Sequence, residues 1–391
     1  MTETADVTDP PEDQAPDTGR SAVTSASFGL ALSASAVLLP LLALESGFSG
    51  TAIGLLTALS AASQFGTRLF LPWLLGTVRD RRIMVAAAVL LAVSAGTLVV
   101  SVGLAAFVVA QVIQGAARAL FWTASQTHVA RAPGSIARRI AQLQVASHVG
   151  TFAGPALAGL VATVTSVRSA LLLTVVGGVV AAGVSTSLVA RPPYVRQARA
   201  DRGQLWRDPD IALGYWSSSV AGGWRGLLDS YVPVVLALAG LGAGAIGMLA
   251  ATAEGAAIAA ALVMARFARD GGERLVVGAA LAVAFGAGML PVAASVPVVA
   301  GLLLFLAGFG GGVATSVGPA VAHGRAAAGE VGTAIAVAGM YRAGARLVSP
   351  TATAGASAAL GVSVALPVVA VGMVLPVLVS ARRTGRRTRG R

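Results

Sequence analysis

The chain has 391 residues, of which 56% are hydrophobic and 11% are charged, and its mean hydropathy is +0.80. A globule of this size cannot hide so much apolar surface from water, which excludes a soluble protein and leaves lipid as the solvent. The formal net charge of +12 comes from arginine, because lysine is absent. These arginines are scattered among short loops and do not form the continuous basic groove that nucleic acid requires, so no nucleic-acid partner is expected.

Twelve apolar stretches follow one another along the chain, each long enough to cross about 30 Å of hydrocarbon as a helix. A helix satisfies its own backbone hydrogen bonds, as hydrocarbon demands. The pattern therefore predicts an all-α membrane protein with twelve transmembrane helices. These are predicted over residues 23–44, 51–74, 83–102, 104–126, 139–162, 169–190, 211–238, 243–266, 275–292, 296–321, 329–356 and 359–380.

The polar segment 191–210 divides the spans into two six-helix bundles, at 23–190 and 211–380. Residues 1–22 are acidic and rich in proline, which predicts a disordered cytoplasmic tail. They do not resemble a signal peptide, since the first span is full length and has no positive region before it. Residues 381–391 form a basic cytoplasmic tail.

The arginines predict the orientation, because nearly all of them lie in loops that share one side of the membrane. The opposite loops carry only Glu45 and Arg168 as charges. The positive-inside rule then places both termini in the cytoplasm of an integral plasma (inner) membrane protein. The arginines of the cytoplasmic side include Arg79, Arg81, Arg82, Arg131, Arg138, Arg139, Arg191, Arg196, Arg199, Arg202, Arg207, Arg266, Arg269, Arg274 and Arg325, with six more from Arg382 to Arg391.

The two halves resemble each other in sequence. Sliding the second half onto the first by 193 residues superposes prolines, glycines and acidic residues that an Ala/Leu-rich chain does not align by composition alone. The halves are therefore predicted to be pseudo-symmetric. The matches are Pro40 with Pro233, Gly47 with Gly240, and Asp80 with Glu273.

The loop after the second span reads Gly76-Thr77-Val78-Arg79-Asp80-Arg81-Arg82. It resembles the G-x-x-x-D-R-x-x-R signature of the major facilitator superfamily, although it is about two residues short. Asp80 can cap or pair across this tight turn, and the arginines hold that end inside. The resemblance implies that Gly76, Asp80, Arg81 and Arg82 form a gating loop. A purely topological role for the charges is the alternative.

Span five carries Gly150-Thr151-Phe152-Ala153-Gly154-Pro155-Ala156-Leu157-Ala158-Gly159. It resembles the G-x-x-x-G-P-x-x-G-G motif that the same superfamily associates with export antiporters. Small residues at this spacing let helices approach closely, and the proline kinks the helix. A generic packing helix would show the same pattern. The resemblance implies the superfamily's fold, with a substrate site between the two six-helix bundles near the membrane midplane.

Span four departs from the superfamily. Gln111-Val112-Ile113-Gln114-Gly115-Ala116-Ala117 is similar to R-x-x-Q-G-x-x-A, but Gln111 stands where the motif has arginine. The resemblance implies that this arginine has a role in proton coupling. Arg118 lies two turns further along, and the sequence leaves open whether it replaces the missing arginine. Gln111, Gln114 and Arg118 are candidates for the substrate cavity.

Two carboxylates, Asp229 and Glu254, are predicted at similar depths near the midplane, where an ionised group costs roughly 2.5–3.5 kcal/mol on insertion scales. Arg225 stands one turn from Asp229, so an ion pair is expected. Glu254 has no charged neighbour within four residues along its own helix, which favours reversible protonation. The alternatives are a purely structural Arg225–Asp229 pair and a neutral Glu254 packed between helices.

These observations predict a secondary transporter that exports small, partly hydrophobic molecules in exchange for protons by alternating access. The expected partners are a small-molecule substrate, protons and membrane lipid, and a monomer is expected. Cysteine is absent, the histidines lack metal-ligand spacing and are interpreted as incidental, and no catalytic cluster or cofactor motif is found. The alternatives are an importer of a sugar, amino acid or organic anion, and a non-transporting scaffold or scramblase, which would not respond to a proton gradient.

The orientation is testable with single cysteines, since the chain has none of its own. In intact cells, a cysteine in place of Ser101 or Ser295 should react with an impermeant thiol reagent, and one in place of Thr77 or Thr388 should react only after permeabilisation. The reverse labelling pattern would show that both termini lie outside.

Overall fold

The chain folds into α-helices in the computed structural model, which describes residues 15–132, 136–193, 211–267, 272–325 and 331–389. These residues contain no strand. The first half forms α1 (Ala15–Glu45), α2 (Gly50–Thr77), α3 (Asp80–Val100), α4 (Leu104–Ala130), α5 (Ile136–Val164), α6 (Val167–Ala170) and α7 (Leu172–Thr186). The second half forms α8 (Ala212–Leu228), α9 (Tyr231–Leu238), α10 (Ala243–Phe267), α11 (Gly272–Ala293), α12 (Pro297–Arg325), α13 (Val331–Leu360) and α14 (Val362–Arg389).

These helices make twelve spans, since α6 leads directly into α7, and α8 and α9 are two parts of one span. The predicted all-α fold is confirmed. In the described part of the chain, nine spans are long and apolar enough to cross a membrane by composition alone. The other three are α2, α8–α9 and α13. The spans α2 and α13 are less apolar because they carry polar side chains, among them Gln64 and Arg346. The span α8–α9 is divided into helices of 17 and 8 residues, each too short by itself.

The predicted start of the first bundle is wrong. Residues 15–22 were assigned to a disordered tail, but they form the first turns of α1. Their polar side chains bond to the first bundle: Arg20 Nη1 donates to the Ser187 carbonyl at 2.9 Å, and Asp17 Oδ1 accepts from the Val189 amide at 3.1 Å. These bonds extend the helix beyond its apolar part.

The helix at the other terminus is also longer than predicted, since α14 continues through the basic segment to Arg389. Residues 1–14 and 194–210, which hold most of the predicted tail and linker, lie outside the described residues. The expectations for them stay predictions.

The predicted repeat has a structural counterpart in the turns that end the first span of each half. Gly47 and Gly240 both adopt left-handed backbone conformations, with φ of 82° and 87°. In both turns the next amide bonds back to the carbonyl five residues earlier, at 3.0 and 3.1 Å, which is the Schellman closure of a helix. Glycine adopts this conformation without a steric cost, so the aligned glycines perform the same task.

The first span of the second half was predicted to be continuous over residues 211–238, but it breaks at Asp229 and Ser230. Pro233 has no amide hydrogen to donate to the Asp229 carbonyl four residues earlier, which weakens the helix at this point. The matching proline, Pro40, lies within the unbroken helix α1. A proline at this position therefore permits a break but does not cause one by itself. The two spans differ in that Asp229 makes ion pairs, which the corresponding part of α1 lacks among the described residues.

The two halves meet along α2 with α13 and α5 with α10. We call the end of the bundle at which α1 begins and α14 ends the terminal end, and the other the opposite end. The neutral hydrogen bonds between the halves, among the described residues, lie at the opposite end. Thr51 Oγ1 is 3.2 Å from Ser357 Oγ, and the Tyr231 hydroxyl donates to the Gly50 carbonyl at 2.9 Å. The opposite end is therefore closed.

The glycine motif of α5 lies where this helix packs between α1 and α10. A methyl group at Gly150 would overlap the Ala26 carbonyl oxygen, and one at Gly154 would overlap the Ser33 hydroxyl, both on α1. At Gly159 it would lie 2.5 Å from a carbonyl of α10, and the Pro155 carbonyl also faces α10. The motif thus packs α5 closely against its own half and the other half.

We expect Gly150→Ala to destabilise the fold by about 1–3 kcal/mol, because the added methyl has no space beside α1. The matched control is Gly183→Ala in α7, where nothing lies within 4 Å and alanine improves helix propensity. Thermal unfolding of the purified variants measures both effects. Equal midpoints for the two variants would show that α1 and α5 are less tightly packed than described.

Candidate functional site

The charged residues predicted inside the membrane converge at mid-depth between the halves. Arg118 lies on α4 of the first half, and Asp229 and Glu254 lie on the second half, at the end of α8 and in the middle of α10. Each is less than a tenth exposed. Arg346 of α13 joins them. We call these four residues and Arg225 the central cluster.

Asp229 is the centre of this cluster because three guanidinium groups meet its carboxylate. Its Oδ2 lies 3.4 Å from Arg118 Nη1 and contacts Arg346 Nη2. Its Oδ1 lies 3.1 Å from Arg225 Nε, in the one-turn ion pair predicted from the sequence. Because Arg118 belongs to the first half, the Arg118–Asp229 pair connects the two halves.

Glu254 is tied to the same cluster through Arg225, whose Nη1 contacts Glu254 Oε1. The sequence showed no partner for Glu254 on its own helix, and its partner comes instead from α8. One arginine therefore bridges both buried carboxylates. Periodicity along one helix gives no sign of such a contact, since it depends on how α8 and α10 pack.

A small cavity of about 20 Å³ adjoins Asp229, which is room for about one water molecule. Gln114 Nε2 donates to Ser35 Oγ at 2.6 Å across this region. Four predicted site residues, Gln111, Gln114, Arg118 and Asp229, therefore share one cavity. Its other lining residues are Ser35, Ala36, Leu39, Thr57, Ser60, Ala61 and Arg346.

The central cluster is a buried ion-pair network. It holds two carboxylates that can take up protons and three arginines that stay charged. A proton on either carboxylate would change the number of ion pairs without moving a helix. In the described part of the chain, no group of three His, Asp or Glu side chains is placed to hold a metal ion.

A second charged cluster lies at the terminal end of the first half, around the fully buried His128. Its Nε2 is 3.0 Å from Asp17 Oδ2, and its Nδ1 is 3.1 Å from Asp80 Oδ2. A neutral imidazole has one N–H group, whereas the charged ring can donate to both carboxylates. The geometry therefore fits a charged His128, and its interpretation as incidental is wrong. The separation of 111 residues between His128 and Asp17 hid this contact from the sequence.

Arginines complete this terminal cluster. Arg131 Nη1 lies 3.7 Å from Asp80, and Arg191 Nη2 lies 3.3 Å from Asp17. Arg81 Nη1 donates to backbone carbonyls just beyond α7, including that of Leu188 at 3.1 Å. The cluster thus fastens together the terminal ends of α1, α3, α4 and α7.

The predicted gating loop takes part in this cluster through Asp80 and Arg81, whereas Gly76 and Arg82 are exposed at the turn. Asp80 is the first residue of α3 and does not cap it; its Oδ1 also accepts from the Arg81 amide at 2.7 Å, and its negative charge suits the start of a helix. The partners of Asp80 among the described residues belong to the first half. Its gating role between the halves stays a prediction.

A separate apolar cavity of about 530 Å³ lies between α8, α13 and α14. Trp216 and Tyr341 form one wall, with ring centroids 5.2 Å apart in an edge-to-face arrangement. Val348 and Met373 are among the apolar lining residues. The cavity does not share a lining residue with the one beside Asp229.

Comparisons with known proteins agree on the fold. Residues 22–350 match the family model described as Major Facilitator Superfamily. No curated protein sequence matches the chain. A variant of the nucleoside transporter NupG superposes with a TM-score of 0.77 at 11% identity, covering 94% of this chain and 98% of that chain.

Two further solved structures are similar to the chain. A bacterial homologue of the human lysosomal transporter Spinster, in an inward-facing and unoccupied conformation, has a TM-score of 0.75 at 13% identity, with 96% of each chain covered. The peptide transporter POT in complex with sulfate has a TM-score of 0.76 at 12% identity, with 95% of each chain covered. At such identities the likeness shows the fold alone.

We expect Asp80→Asn to lower stability by about 2–4 kcal/mol, because it leaves His128 and Arg131 facing a neutral side chain in a buried site. Glu273→Gln is the matched control, since Glu273 occupies the corresponding position of the second half and is partly exposed. Thermal unfolding midpoints of both purified variants decide the matter. Equal small shifts would mean that the terminal cluster contributes little to the fold.

Proposed function

The chain belongs to the major facilitator superfamily, and on that premise we propose that this secondary transporter exports small, partly hydrophobic molecules in exchange for protons. The mechanism is alternating access, in which the two six-helix halves rock about the central cluster. The halves are close-packed bodies that meet along a few helices, and such bodies change their relative position more easily than their internal packing.

The observation that carries this proposal is the ion pair between Arg118 and Asp229. It connects the halves at mid-depth while the opposite end is closed. A proton on Asp229 would remove the charge that Arg118 faces and so weaken the connection. A substrate that engages Arg118 would have the same effect. Proton and substrate would then substitute for each other, as an antiporter requires.

Two steps of the transport cycle follow if proton and substrate substitute for each other at the Arg118–Asp229 pair. In the present conformation Asp229 is paired, and a substrate entering from the terminal end must displace Arg118 before the halves can move. After release on the other side, a proton on Asp229 lets the halves return without substrate. Glu254 would act through Arg225, which contacts both carboxylates. A proton on Glu254 would remove its charge, so Arg225 would pair with Asp229 alone.

The export direction rests on two sequence features. The glycine and proline motif of α5 resembles that of export antiporters, and arginine placement puts the terminal end in the cytoplasm. The conformation closed at the opposite end would then be the inward-facing one, from which an exporter loads. The runner-up is an importer of a sugar, amino acid or organic anion, since the nucleoside and peptide transporters named above share the fold.

Conformation can be tested without a substrate. Ala354 is fully buried and faces Gly54 of the other half at the closed opposite end. We expect a cysteine introduced by Ala354→Cys to react with a maleimide at least about fivefold faster when Asp229→Asn is added, because the halves separate more readily; this corresponds to about 1 kcal/mol. A cysteine introduced by Ala287→Cys, buried within one half, should stay unreactive and so exclude general unfolding.

Once counterflow in proteoliposomes has identified a substrate, proton coupling is measured on two variants of the central cluster. Both Asp229→Asn and Glu254→Gln should abolish uptake driven by a pH gradient into inverted vesicles and retain exchange without a gradient. If both variants keep gradient-driven transport at the wild-type rate, the carrier is not coupled to protons through this cluster. A scaffold or scramblase would show neither activity.

A further inference from the structure

The interior of the membrane region carries more positive than negative charge. Away from the ends of the spans, the described residues include five arginines but only two carboxylates, Asp229 and Glu254. Three of the arginines belong to the central cluster. The other two, Arg68 of α2 and Arg342 of α13, have no carboxylate partner among the described residues. Charges in this region need a counter-charge or a polar cavity.

Two of the guanidinium groups also hold donors for which no described residue supplies an acceptor. Arg342 Nη2 donates to the Thr315 carbonyl at 3.0 Å, but its Nε is buried without a hydrogen-bond partner. Arg118 is 6% exposed, and its Nε is likewise buried and unpaired. Buried N–H groups nearly always have an acceptor, so these donors indicate an acceptor from outside the protein.

The arginines lie along one route. Arg342 and Arg346 are one turn apart on the same face of α13, and Arg346 meets Arg118 at Asp229 Oδ2. Arg68 lies on α2, the helix of the first half that packs against α13. Arg68 and Arg342 are nearer to the terminal end than Asp229 is. A molecule that enters from the terminal end therefore meets positive charge before it reaches the cavity.

We propose that the transported molecule is an organic anion, a carboxylate on a small apolar body, which Arg342 attracts on entry and Arg118 binds beside Asp229. The proposal rests on the transport function above and assigns its substrate class. The planar guanidinium fork matches a carboxylate in two parallel hydrogen bonds. Ala36, Leu39 and Ala61 line the adjoining cavity and offer apolar contacts. Since this cavity has room for about one water molecule, the apolar body enters it as the halves separate. The carboxylate competes with Asp229 for Arg118, which gives the exclusion that antiport needs.

The test compares three probes of one shape and different charge: benzoate, benzamide and benzylammonium. Each is titrated into the purified protein at constant ionic strength, and the thermal unfolding midpoint is followed. Benzoate should raise the midpoint saturably, and the other two should not. Arg342→Gln should weaken the apparent benzoate affinity at least tenfold. Arg266→Gln, which removes an exposed arginine at the terminal end of α10, should leave it unchanged.

Three results would overturn the proposal: equal stabilisation by benzamide or benzylammonium, stabilisation by none of the probes, or a benzoate effect that Arg342→Gln leaves intact. If Arg342→Gln does not fold, Arg68→Gln takes its place, since Arg68 is exposed and belongs to the same route. The binding measurement needs no gradient and no transport. A protein that does not bind benzoate could still show the increased maleimide reactivity of the Ala354→Cys variant. Likewise, a protein that binds benzoate could fail to show that increase.

Discussion

The structure depends on one constraint, which is that a carboxylate in the middle of a membrane protein needs its counter-charges close by. Asp229 meets this need with arginines from three helices, α4, α8 and α13. Its span breaks at the same position. One of the spans with less than membrane-spanning hydropathy, α13, contributes to the same cluster. Electrostatics at one residue thus shapes helix continuity, helix composition and the contact between the halves.

The two charged clusters have different mechanical consequences. The terminal cluster around His128 joins helices of the first half only, so it makes that half more rigid. The central cluster includes a pair that crosses between the halves, so its strength bears on their relative position. A rocking mechanism needs both properties, stiffness within each half and an adjustable contact between them. The sequence signature at Asp80 contributes to the stiffness of the first half in this conformation.

Features determined by local sequence could be predicted, and features determined by packing between distant segments could not. The spans follow from apolar length, and the Gly47 and Gly240 turns follow from the repeat. The Arg225–Asp229 pair follows from helical spacing. The contacts of Arg118 and Arg346 with Asp229 join residues more than one hundred positions apart. Asp17 was hidden differently, because it precedes the apolar part of α1 and resembles the polar tail before it.

The departure of span four from the superfamily pattern now has a structural context. Gln111 and Arg118 are seven residues apart, or about two helical turns, so they lie on one face of α4, and both line the cavity beside Asp229. Arg118 therefore places a positive charge on the wall of the same cavity, nearer to the terminal end than position 111. At that depth it meets a carboxylate of the other half, whereas an arginine at position 111 would lie about 10 Å nearer the opposite end. The two charges depend on each other unequally: Asp229 without Arg118 would keep Arg225 and Arg346, whereas Arg118 without Asp229 would lose the carboxylate that it pairs with in a buried site.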